Sequence, residues 1–160
     1  MKKTQLFIAL LIIVVFATLG TAAEKAAGGK GFKAVLSGAE VVPPVQTKAK
    51  GEATFELRKD GKELYYTIKA SDIEGISAAH IHKGKKGESG PPLALLHVTK
   101  NAAKMNEVVA KGEIEKKDLM TSLSAKSVAD LLKEIETGDT YVNVHSAKFP
   151  DGEIRGQIVK

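Results

Sequence analysis

The chain has 160 residues, no cysteine, and 24 Lys and Arg against 19 Asp and Glu, for a formal charge of +5. Without cysteine there are no disulfides, no thiol nucleophile and no thiolate metal site, so stability has to come from core packing. Aromatic residues make up 5% of the chain and the lysines are interspersed with acids, a pattern that lacks the stacking platforms and basic face of a nucleic-acid binder.

Lys2 and Lys3 precede an apolar run over residues 6–19, which is followed by the small residues Gly20, Thr21, Ala22 and Ala23. A positive start, an apolar stretch and a small-residue cleavage site in that order predict a secretory signal over 1–23, cut after Ala23. The run is shorter than the roughly 20 residues that span a bilayer. The expectation is a secreted or periplasmic protein with no stable membrane span after cleavage. Residues 24–30 (EKAAGGK) read as a flexible leader, and 31–160 as one domain.

Within that domain Phe32, Ala34 and Leu36 alternate with Lys33, Val35 and Ser37, which predicts a half-buried strand. Pro43 and Pro44 place 41–45 in a connection or at an edge, since proline donates no ladder hydrogen bond. Ala53, Phe55 and Leu57 alternate with Glu52, Thr54, Glu56 and Arg58 up to Asp60-Gly61, and Leu64, Tyr66 and Ile68 alternate beyond it. Two such runs about Asp-Gly predict a β-hairpin. Further strands are expected at 78–82, 93–98 and 108–114, with a loop of glycine, proline and lysine at 83–92. Ser127 as N-cap, Val128, Leu131, Leu132 and Ile135 at helical spacing, and Gly138 as terminator predict one short helix. Strands at 140–145 and 153–159 flank a turn at Pro150-Asp151-Gly152. About eight short strands and one helix predict an all-β, antiparallel, immunoglobulin-like or dismutase-like Greek-key β-sandwich.

Chemistry concentrates on the histidines. In Ala79-His80-Ile81-His82 the two imidazoles sit at i and i+2 and share one strand face, a spacing that suits one divalent copper or zinc ion. In Tyr141-Val142-Asn143-Val144-His145, the valines take the core face and Tyr141, Asn143 and His145 the other. Glu153, Arg155 and Gln157 point outward on the next strand, so a hairpin presents Asn143, His145, Glu153 and Arg155 together. An arginine there is placed to attract a small anion. His97, in Leu95-Leu96-His97-Val98, reads as a partly buried strand histidine, and Tyr65 and Tyr141 as sheet-surface packing. Lys83, Lys85 and Lys86 read as a solvated basic loop.

Four segments resemble the signature blocks of the CHRD (chordin-type) domain, in order. They are Ala39-Glu40-Val41-Val42-Pro43-Pro44-Val45, Ala79-His80-Ile81-His82-Lys83-Gly84, Tyr141-Val142-Asn143-Val144-His145, and Pro150-Asp151-Gly152-Glu153-Ile154-Arg155-Gly156-Gln157. The resemblance implies an extracellular setting; the family includes secreted bacterial proteins and the chordins, which bind growth factors. The His-x-His strand, Val144-His145 and Gly152-Glu153-Ile154-Arg155-Gly156 are also similar to motifs of copper/zinc superoxide dismutases. That similarity implies copper as cofactor, with His80, His82 and His145 as its ligands and Arg155 as an anion guide. The loop at 83–92 has no histidine to bridge copper to zinc, so a dismutase-type zinc site is not expected.

Two readings follow. In one, a secreted CHRD-domain protein binds a metal, copper favoured, for metal holding or extracellular redox protection; whether such a site turns over is left open by the residues. In the other, the chain is a non-enzymatic binding or structural module for an extracellular protein or cell-envelope partner, and its histidines only hold strands together. A hydrolase has little support, because there is no Gly-x-Ser-x-Gly elbow and no cysteine nucleophile.

Overall fold

A computed structural model describes residues 30–58, 61–120 and 127–160. The expected signal (1–23), all of the leader but Lys30, and Asp60 of the predicted turn lie outside the described residues. Alternation decides most of the strands. β1 (Gly31–Ser37) turns Phe32, Ala34 and Leu36 inward, each 3% exposed or less. β2 (Lys50–Leu57) and β3 (Leu64–Ser71) form the expected hairpin, pairing Ala53 with Ile68 and Phe55 with Tyr66. Gly61 has a φ of 71° there, in the left-handed region that glycine enters without steric cost.

β5 (Ile76–Lys83) covers the expected strand at 78–82, and β6 (Pro92–Leu96) covers the expected strand at 93–98 up to Leu96, with His97 and Val98 beyond its end. Pro92 is tolerated because it is the first residue of β6, a strand at one end of the sheet order that pairs with β5. β8 (Glu107–Ile114) pairs with β3. Helix α1 (Val128–Thr137) is capped by the Ser127 hydroxyl, which accepts from the Asp130 N–H at 3.2 Å, and ends at Gly138 with φ 80°. It buries Leu131 and Ile135. β9 (Thr140–Ser146) and β10 (Ile154–Gln157) form the last hairpin. Two strands of two residues, β4 (Ile73–Glu74) and β7 (Ala102–Ala103), pair with each other and were not expected; they are too short to show alternation.

Among the described residues the fold is all-β and antiparallel, with one short α-helix. Its main sheet has eight strands in the order β6-β5-β9-β10-β1-β2-β3-β8. The chain passes from β3 to β5, and from β8 to β9, between strands that are not neighbours, as Greek-key connections do. The sheet rolls until β6 and β8 meet: Val98 bridges Ala110, and the Tyr66 hydroxyl accepts from the His97 N–H at 2.7 Å. The layers of the expected sandwich are therefore two halves of one rolled sheet around a single apolar core. Phe55, Leu64, Ile68, Ile81, Leu93, Leu96, Val142, Val144 and Ile154 in that core are fully buried.

One expectation is corrected by burial. Tyr141, Asn143, Glu153 and Arg155 point away from the apolar core, yet they are only 3%, 5%, 6% and 3% exposed. Their face is not an open sheet surface, because loops fold across it. Lys86 in the loop over 84–90 pairs with Glu40 at 2.9 Å, and Thr47 donates to Glu153 Oε1 at 2.7 Å.

Deleting a large side chain from the apolar core removes its transfer energy and leaves a cavity. Phe55→Ala is expected to cost about 3–5 kcal/mol, whereas Val35→Ala, at a position 69% exposed, should stay within about 0.5 kcal/mol. Urea unfolding of the two variants checks this.

Candidate metal centre

Strand register brings the predicted histidines together. β5 pairs with β9 so that Ala78 lies opposite His145, His80 opposite Asn143, and His82 opposite Tyr141. His80 and His82 therefore share the outward face of β5 with His145 one strand over. One ring nitrogen from each of the three lies within 4.8 Å of the others. The ring centroids are 5.1 to 6.0 Å apart, and all three side chains are half-buried.

Backbone carbonyls orient two of the rings. His82 Nδ1 lies 2.9 Å from Gly90 O, and His145 Nδ1 lies 2.8 Å from Pro150 O. A carbonyl accepts only, so in each ring Nδ1 carries the proton, and in the neutral ring Nε2 keeps its lone pair. His145 Nε2 faces His80 Nδ1 at 3.2 Å. His82 Nε2 is buried and has no hydrogen-bond partner among the described residues. A donor set of neutral imidazoles, each of two held from behind by a carbonyl, is the arrangement that metal-binding histidines use.

The surroundings of His80 and His82 disfavour the charged ring. His80 is lowered from the ordinary 6.5 to about 4, first by burial and then by its neighbours His145 and His82. Burial also lowers His82, with His145 and Arg155 acting in the same direction against the Gly90 hydrogen bond.

Arg155 shares this face but is turned toward the loop. Its guanidinium lies 3.4 Å from the Tyr141 ring centroid and donates to Lys85 O at 3.1 Å and Glu88 O at 2.6 Å. Gln157 adds bonds to Gly84 O and Gly138 O. Glu153 turns to Thr47, as described above. Of the loop lysines, Lys83 pairs with Glu134 at 3.1 Å and Lys86 with Glu40, so two of the three charges are engaged. His97 stands apart and more exposed than expected: it pairs with the buried Asp118 at 2.7 Å.

A protein-family profile described as the CHRD domain matches residues 32–158, which takes in every residue of this face. The chain belongs to the CHRD domain family. No curated protein matches it. The CHRD domain of this chain thus carries three converging histidines whose orienting partners, Gly90 and Pro150, are main-chain carbonyls. A carbonyl leaves no side-chain signature, so sequence reading missed both. The one available signal was the glycine-proline composition of the two loops.

Because the unfolded chain takes up a proton on His80 near pH 6.5 while the folded CHRD domain resists it until about pH 4, the unfolded state binds more protons in that window. Stability is expected to fall as pH drops from 6.5 towards 4. Thermal melts in the presence of a chelator should show this slope, and it should be shallower in His80→Gln.

Proposed function

We propose that this is an exported CHRD-domain protein that holds one metal ion, copper by preference, through His80, His82 and His145. The observation that carries the reading is the convergence of three ring nitrogens within 4.8 Å, with the N–H groups of His82 and His145 committed to carbonyls. The buried, unpartnered Nε2 of His82 fits a metal, because such an atom costs free energy unless something binds it. An all-imidazole donor set suits copper or zinc, and the similarity of the His-x-His strand to copper enzymes favours copper. Bound there, copper offers one-electron exchange; the chain's own part is to present neutral nitrogens at a half-buried spot. Metal holding is the proposed role. Arg155 is assigned to holding the loop that carries Gly90, since both of its carbonyl contacts are to that loop.

Export rests on the N-terminal pattern of Lys2, Lys3 and the apolar run. Among the described residues no helix is long and apolar enough to cross a membrane. A second reading, in which the histidines only tie β5 to β9, draws on the 3.2 Å contact between His80 and His145.

Isothermal titration with copper separates the two. The purified protein is expected to bind one ion tightly, and the His80→Ala/His82→Ala/His145→Ala protein to lose that binding by at least about a hundredfold. Weak binding, or binding that the triple variant keeps, would leave the histidines as strand ties.

A further inference from the structure

The outward face of β9 carries two residues that brace the loops from which the orienting carbonyls come. Tyr141 is the first. Its ring stacks on His82 at 5.1 Å and 17° between planes, and the Arg155 guanidinium lies over it. Since β9 runs between β5 and β10, Tyr141 is layered between His82 and Arg155. Its hydroxyl accepts from the Gly90 N–H at 3.2 Å and donates to Gly90 O at 3.4 Å. The same Gly90 O accepts from His82 Nδ1. The peptide has little freedom to move: a methyl at Gly90 would overlap the Lys83 carbonyl oxygen.

Asn143 is the second. Its Nδ2 donates to Asp151 O at 3.0 Å, next to the Pro150 carbonyl that accepts from His145 Nδ1. Gly152, with φ 129°, lies so close to the Asn143 amide that any Cβ would collide with it. Asn143 thereby seats the turn over 150–152 just as Tyr141 seats the Gly90 peptide.

We propose that Tyr141 and Asn143 are positioning residues: Tyr141 holds the peptide that sets the tautomer of His82, and Asn143 holds the peptide next to the one that sets the tautomer of His145. The two relays are separate, one through each loop. Their value to a metal ion rests on the reading proposed above; the tautomers themselves do not. A ring without its carbonyl partner divides between Nδ1–H and Nε2–H forms and no longer keeps Nε2 free.

Long-range proton–nitrogen NMR of the histidine rings in the full chain, with a chelator present, tests this directly. His82 and His145 are expected as Nδ1–H tautomers. In Tyr141→Phe, which keeps the stack and loses the hydroxyl, His82 should become a mixture while His145 is unmoved. In Asn143→Ala the pattern should reverse. Asn143→Ser serves as the second variant if alanine at this buried position prevents folding. Copper titration of Tyr141→Phe should then show affinity lower by about tenfold or more. Ring signals that stay Nδ1–H in both variants, or that change equally at both histidines, would overturn the proposal. Tautomers that shift as expected in a protein whose parent binds no copper would uphold the positioning roles and remove the metal reading instead.

Discussion

The buried guanidinium of Arg155 is the contact on which the polar half of this molecule depends. A buried cation is costly unless its N–H groups are satisfied and its charge is screened. Here the Tyr141 ring lies against one face of the guanidinium, and two carbonyls of the loop over 84–90 accept from it. The loop is drawn across the sheet as a result. Once it is there, Tyr141 loses its water, Gly90 comes within reach of His82, and Lys86 meets Glu40. Arginine suits this position because its planar fork stacks and donates at once; a lysine ammonium does neither as well.

The fold therefore has two interiors of different kinds. One is the apolar core inside the rolled sheet, filled by aliphatic side chains, Phe55 and Tyr66, and driven by the removal of apolar surface from water. The other is a thin polar layer between the outward face of β9 and β10 and the loops above it. That layer gains little from burial and is held by hydrogen bonds, not all of them made. Among its described residues the buried atoms without a partner include His82 Nε2, Asn143 Oδ1 and Gln157 Oε1. Polar layers of this kind fix geometry more than they add stability, which is the property a ligand site needs.

The two interiors differ in how well the sequence discloses them. The alternation of Ala53, Phe55, Tyr66 and Ile68 about Gly61 is a period-two pattern with one physical cause, so strand, face and hairpin were all readable. The histidines were readable for the same reason, since His80 and His82 on one face and His145 near the end of another strand need only strand pairing to meet. What escaped was set by tertiary contact. Arg155 looks like a surface cation until a loop is laid over it, and nothing in 83–92 says where that loop folds. Gly90 and Pro150 act through carbonyl oxygens that every residue possesses. β4 and β7 owe their pairing to where the chain happens to run, not to any pattern in Ile73-Glu74 or Ala102-Ala103.

The use of a main-chain carbonyl to hold His82 divides the loop over 84–90 into two independent surfaces. Its inner side is a set of peptide groups, grasped by Arg155, Gln157 and Tyr141. Its outer side is the row of exposed side chains at 85–89. Because the grip is on the peptides, the outer row is free to diversify through evolution, acquiring new charge or bulk for a new neighbour, while the ring beneath keeps its orientation.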